Sequence, residues 1–109
     1  MKKILLLSLL LGSATAGAAS FDCAKASAPD EKAICANRAL NDKDVEMATE
    51  YRLLKGLFAM GGQGTMQDQQ QAWLKDRRAC GANVACLTTQ YNKRLSALDA
   101  IYAKIDKPL

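Results

Sequence analysis

Four cysteines, Cys23, Cys35, Cys80 and Cys86, fall in a chain of 109 residues, and no other feature constrains its fold as much. A domain of this size buries too little apolar surface to be comfortably stable, and disulfides are the usual remedy outside a reducing compartment. A four-thiolate zinc site is the competing use of the same residues. It lacks support here, because there is no C-x-x-C pair and no histidine anywhere in the chain. Three pairings are open, and the local one, Cys23–Cys35 with Cys80–Cys86, is the expectation. On the chain-entropy account, loops of that size contribute roughly 2–3 kcal/mol each.

The first residues read as a sorting signal. Lys2 and Lys3 precede an apolar run from Ile4 to Leu11 that is broken only by Ser8, and small residues follow up to Ser20. The run is too short to serve as a membrane span. A-x-A-like tripeptides at Ala16-Gly17-Ala18 and Gly17-Ala18-Ala19 place the expected cleavage within a residue or two of Ala19. No cysteine directly follows the small residues, so a soluble exported product is expected rather than a lipid-anchored one. The organisation is then a signal peptide at 1–19 and a single domain at 20–109, periplasmic or secreted, with no stable membrane anchor after cleavage.

Charge excludes one class of partner. The chain carries 15 basic and 11 acidic residues. The leader removes Lys2 and Lys3 from that tally, which leaves an excess of about +2 with no basic run of five or more. Nucleic acid is not an expected partner.

Along the domain, apolar periodicity is helical throughout, and no stretch rich in Val, Ile and Thr suggests a strand. Ser27, Pro29, Asp30 and Glu31 suit the start of a short helix reaching about Ala36. A second helix is expected over residues 40–59, with Leu40, Met47, Tyr51, Leu54 and Phe58 on one stripe. Asp44 falls on that stripe, where a carboxylate is costly unless a backbone amide or a basic side chain meets it. Gly61, Gly62 and Gly64 read as a flexible connection, and Thr65 with Asp68 as the cap of a third helix over residues 66–80. Gly81 suits a left-handed helix stop and Asn83 a new start. The fourth helix, from Val84 to about Lys104, carries Val84, Leu87, Tyr91, Leu95 (or Arg94), Leu98, Tyr102 and Ile105. The fold class is all-α: a small antiparallel bundle of about four helices, stapled by two disulfides.

Catalysis finds little support. Without histidine the commonest general base and metal ligand is missing, and cysteines held in disulfides are not nucleophiles. No catalytic, cofactor-binding or metal-binding residue is assigned. Asp42, Glu46 and Glu50 recur at steps of four and form an acidic ridge. Trp73 is either a core anchor or an exposed hot spot. Arg77, one turn on, either pairs with a carboxylate such as Asp44, stacks on Trp73, or faces a partner. Trp73, Arg77, Asp42, Glu46 and Glu50 are therefore the candidate partner-binding residues.

The order Phe21-Asp22-Cys23, Ala33-Ile34-Cys35, Leu40, Asp44, Tyr51, Gln70, Trp73, Arg77, Cys80, Cys86-Leu87, Tyr91 and Arg94 resembles the LprI-type lysozyme inhibitor family, small exported all-helical bacterial domains. Lys43, where such domains more often carry an apolar residue, and the glycines at 61–64 depart from that pattern. The resemblance implies a non-enzymatic domain that binds a protein, with a lysozyme as the expected partner. An envelope or stress-related interaction module with another protein partner is the alternative. A lysozyme inhibitor must occlude a cleft lined by two carboxylates. A projecting basic side chain, the glycine-rich connection or the acidic ridge are the three surfaces expected to take part.

Overall fold

The computed structural model describes residues 19–105, so the expected leader lies outside the described residues except for Ala19. A single 3-10 turn at Cys23–Lys25 leads into α1 (Pro29–Ala36), α2 (Arg38–Lys55), α3 (Met60–Ala79) and α4 (Val84–Ala103). Among the described residues there is no strand. No helix among them is long and apolar enough to cross a membrane. The long helices α2 and α4 pack along each other, α1 lies against α2, and α3 closes against α4. The expected four-helix architecture is present, and both disulfides are local, Cys23–Cys35 and Cys80–Cys86.

Local chemistry explains most boundaries. Asn37 breaks the chain between α1 and α2 with an extended ψ, and its side chain caps α2 by accepting from the Leu40 amide at 3.0 Å. Gly81 has a φ of 59°, the left-handed geometry that spares glycine any Cβ clash. Asn83 then caps α4 by accepting from the Cys86 amide at 2.9 Å. The Cys80–Cys86 bond spans this corner. At α1 the expected Ser27 cap is not used. Glu31 reaches back instead, with its carboxylate accepting long contacts from the Ser27 and Ala28 amides.

Two expectations fail between α2 and α3. The second helix ends at Lys55, not 59, and the third begins at Met60, so Gly61, Gly62 and Gly64 are helical. Glycine disfavours helix by about 1 kcal/mol per residue, but packing outweighs that cost. Met66 is buried, Gln63 donates to the Phe58 carbonyl, and Phe58 lies directly on Gly62. Thr65 donates to the Gly61 carbonyl from inside the helix, so it caps nothing. A Cβ at Gly62 would sit 3.0 Å from the Phe58 Cβ, whereas Gly61 and Gly64 have open space. Gly61→Ala and Gly64→Ala should each stabilise by roughly 0.5–1 kcal/mol, read as a rise in melting temperature. Gly62→Ala should give no rise. Equal gains at all three sites would contradict the close packing of Phe58.

The apolar core comprises Ile34, Leu40, Met47, Leu54, Met66, Trp73, Leu87, Tyr91 and Leu98, drawn from all four helices. The α4 stripe differs from expectation. Val84 and Tyr102 are exposed, and Arg94 rather than Leu95 takes the buried position on α4.

Candidate functional site

Two regions of the bundle gather chemistry-bearing side chains, one inside and one on the surface. Inside, Asp30, Asp44, Gln70, Arg77, Tyr91 and Arg94 are all buried. Arg77 reaches back from the last turn of α3, and its Nε donates to Asp30 Oδ2 at 2.9 Å. Its Nη1 lies 3.9 Å from Asp44 Oδ1, a distance for charge attraction rather than hydrogen bonding. Asp44 takes its hydrogen bonds elsewhere: the Tyr91 hydroxyl donates to Oδ1 and the Ser20 amide to Oδ2, both at 2.7 Å. The Arg77 guanidinium also lies over the Phe21 and Trp73 rings, 5.5 and 5.9 Å from their centroids.

Electrostatics fits this wiring. Burial opposes the charge on Arg77, and the Tyr91 and Asp30 oxygens beside it more than offset that, so its pKa rises further. Burial and then the Asp44 carboxylate push the Tyr91 hydroxyl far above its ordinary value, which keeps it a donor. Arg94 donates from Nε to Gln70 Oε1 at 2.9 Å, and burial lowers its pKa.

Trp73 and Arg77 therefore sit inside the protein. Trp73 is 7% exposed, meets Tyr91 edge-on at 5.1 Å, and its indole N–H donates to the Gln90 carbonyl. Arg77 is 5% exposed. Neither offers a side chain for a partner to grip, so the partner-facing alternative weighed for each from sequence gives way to the core alternative. The physical reason is the pair of buried carboxylates, which hold the guanidinium inward.

The acidic ridge does lie on the surface. Asp42 and Glu46 are exposed and Glu50 is half-buried. The structure adds Asp99 of α4, which stands beside Glu50 on the same groove across the helix pair. Partial burial, then Asp99, then Glu46 push the Glu50 carboxyl up to about 7. Glu50 and Asp99 border an open groove of about 320 Å³ whose other walls are Leu53, Leu54, Leu57 and Tyr102. Leu53 and Leu57 are 64% and 61% exposed, an uncommon degree for adjacent large apolar side chains. Lys43 reaches over to Asn92 at 2.9 Å and ties α2 to α4 farther along the same helix pair.

No group of three or more His, Cys, Asp or Glu residues suited to a metal ion occurs among the described residues. Sequence reasoning missed Asp99, Leu53 and Leu57 as one surface, and Asp30 as the main partner of Arg77. Along the sequence Asp30 is only a favourable charge at a helix start. Its pairing depends on how α1 meets α3, which no spacing within either segment encodes.

A protein-family model described as lysozyme inhibitor LprI matches residues 23–98, a span that runs from the first cysteine to the buried Leu98. Searches among curated proteins and solved structures return no match.

Proposed function

The chain belongs to the LprI lysozyme inhibitor family, and from that premise we propose that it is an exported, non-catalytic domain that inhibits a lysozyme-like muramidase. The docking face is the acidic, apolar-floored groove between α2 and α4. One observation carries this choice of surface: Glu46, Glu50 and Asp99 stand together beside exposed Leu53 and Leu57.

The chemistry favours a cationic partner. Asp99 and Glu46 add to the cost of charging Glu50, and a lysine or arginine seated beside it relieves that cost. The neighbouring leucines supply apolar area that such a partner covers. Lysozymes are commonly cationic, so this face attracts them locally although the whole domain is slightly basic. The choice is supported by the burial of Arg77 and by residues 61–64, which form helix instead of a projecting loop. Inhibition then follows from steric cover of the muramidase cleft by a bundle docked beside it.

The test is to titrate the oxidised domain against a chicken-type lysozyme acting on bacterial cell walls. Wild type should slow lysis, and Glu46→Lys combined with Glu50→Lys should weaken inhibition by about tenfold or more. Both positions lie on the surface, so an unchanged melting curve separates lost binding from lost fold. Inhibition should also strengthen as pH rises through about 7, because a bound cation stabilises the charged form of Glu50. No slowing of lysis at large excess would refute the muramidase reading. Full inhibition by the doubly reversed variant would refute the surface.

A further inference from the structure

The segment that enters the bundle carries a second feature. Ser20 is exposed, yet its backbone nitrogen lies 2.7 Å from the Asp44 carboxylate, which is itself fully buried. No cation makes a short contact with that carboxylate, and the second buried guanidinium, Arg94, is turned to Gln70. Asp30 and Asp44 are both buried beside a single guanidinium, Arg77, and Arg77 spends its one short contact on Asp30. Asp44 is left with a neutral hydroxyl and the Ser20 nitrogen as its hydrogen-bond donors.

We propose that the Ala19–Ser20 peptide bond is the processing site of this chain, and that the α-ammonium released at Ser20 is the missing counter-ion of Asp44. A leader peptidase hydrolyses that bond with one water molecule. Ala19 leaves with a new carboxylate, and the Ser20 nitrogen becomes a protonated amine in the place its amide already occupies. Two buried carboxylates then face two cations. The hydrogen bond to Asp44 then carries charge on its donor as well as its acceptor. Ser20 itself is exposed, so the amine stands at the water-facing end of the buried network. The small residues Gly17-Ala18-Ala19 are the substrate pattern such a peptidase reads.

The register is tight. Cleavage one residue earlier or later moves the amine by one Cα step, about 3.8 Å, and ends the contact. The Cys23–Cys35 bond begins only three residues on and anchors the segment, while Phe21 lies over Arg77. Processing therefore completes the interior polar network, and the exported form is held together by a charge that the precursor lacks.

The test begins with the full chain exported by a bacterium and recovered after oxidation. Intact mass and N-terminal sequencing should show Ser20 as the first residue; any other start overturns the proposal. The Ser20 form is then compared with the same chain acetylated at Ser20, which restores a neutral amide at that nitrogen. The free amine should melt several degrees higher at pH 7. An amine that gains a carboxylate has its pKa raised above the ordinary value of about 8. Its contribution is thus complete below pH 8 and fades as pH climbs through the raised value. Tyr91 and Arg77, which face Asp44 with it, keep their protons over that range, and Asp30 faces Arg77 from α1. The melting gap should accordingly close by about pH 10–11. Equal melting of the two forms at pH 7, or a gap that persists unchanged at high pH, overturns the pairing. If Asp44→Asn folds, acetylation should no longer shift its melting temperature.

Discussion

Arg77→Met should destabilise the domain by about 3–5 kcal/mol, the cost of leaving buried carboxylates without their cation. Small domains hold about 5–15 kcal/mol in all, so this single change removes a large share of the stability. Loss of volume is not the cause, since methionine fills much of the space of the arginine stem. What is lost is the partner of Asp30 at 2.9 Å and a guanidinium 3.9 Å from Asp44. The Phe21 and Trp73 rings also lose a cation that each attracts. Urea denaturation followed by helical circular dichroism measures the effect. A companion variant separates charge from packing: Arg77→Met with Asp30→Leu removes one of the orphaned carboxylates and should recover a substantial part of the loss. A cost below about 1 kcal/mol for Arg77→Met would mean that the network behaves like a surface ion pair despite its burial.

That network also marks the limit of what the primary structure reveals. Asp44 on an apolar stripe announces a need for a partner, because an uncompensated carboxylate cannot remain in a core. The identity of the partners is another matter. Ser20 lies 24 residues before it and Tyr91 47 after it, and nothing in the spacing of either points to the other. Features decided by neighbours along the chain are legible: the Gly81 stop, the Asn83 cap and the two disulfide-closed loops follow from residue chemistry at those positions. The glycines at 61, 62 and 64 mislead for the opposite reason. Their local preference is for a break, and the packing of Phe58 and Met66 overrides it. Arg94 is buried where Leu95 was equally consistent with the period, since three- and four-residue steps leave a choice that only the facing helix makes. The candidate surface is half legible in the same sense. The ridge of Asp42, Glu46 and Glu50 is a property of one helix, and Asp99 joins it only when α4 is laid against α2.

The second large effect concerns the two staples, which are expected to be unequal. Loop length alone separates them modestly: Cys23–Cys35 spans 12 residues and Cys80–Cys86 spans 6, and a doubling of loop length is worth only about 0.6 kcal/mol. The corner at residues 80–86 is already organised by the Gly81 turn and the Asn83 cap, so losing its bond releases little beyond loop entropy, about 2–3 kcal/mol. The Cys23–Cys35 bond does more. It pins the irregular segment whose Ser20 nitrogen meets Asp44 and whose Phe21 lies over Arg77. Without it that segment frays from α1, water reaches two buried carboxylates, and the cation–π contact opens. Cys23→Ser with Cys35→Ser should therefore cost about 4–5 kcal/mol, near the top of the range for native disulfides. Separate denaturation of the two paired variants measures the inequality. A difference no larger than the loop term would show that the entry segment holds its place unaided. A large one, together with loss of any further penalty from acetylating Ser20 in the same background, would show that the first disulfide stabilises the fold mainly by keeping the N-terminal segment on the charged centre of the bundle.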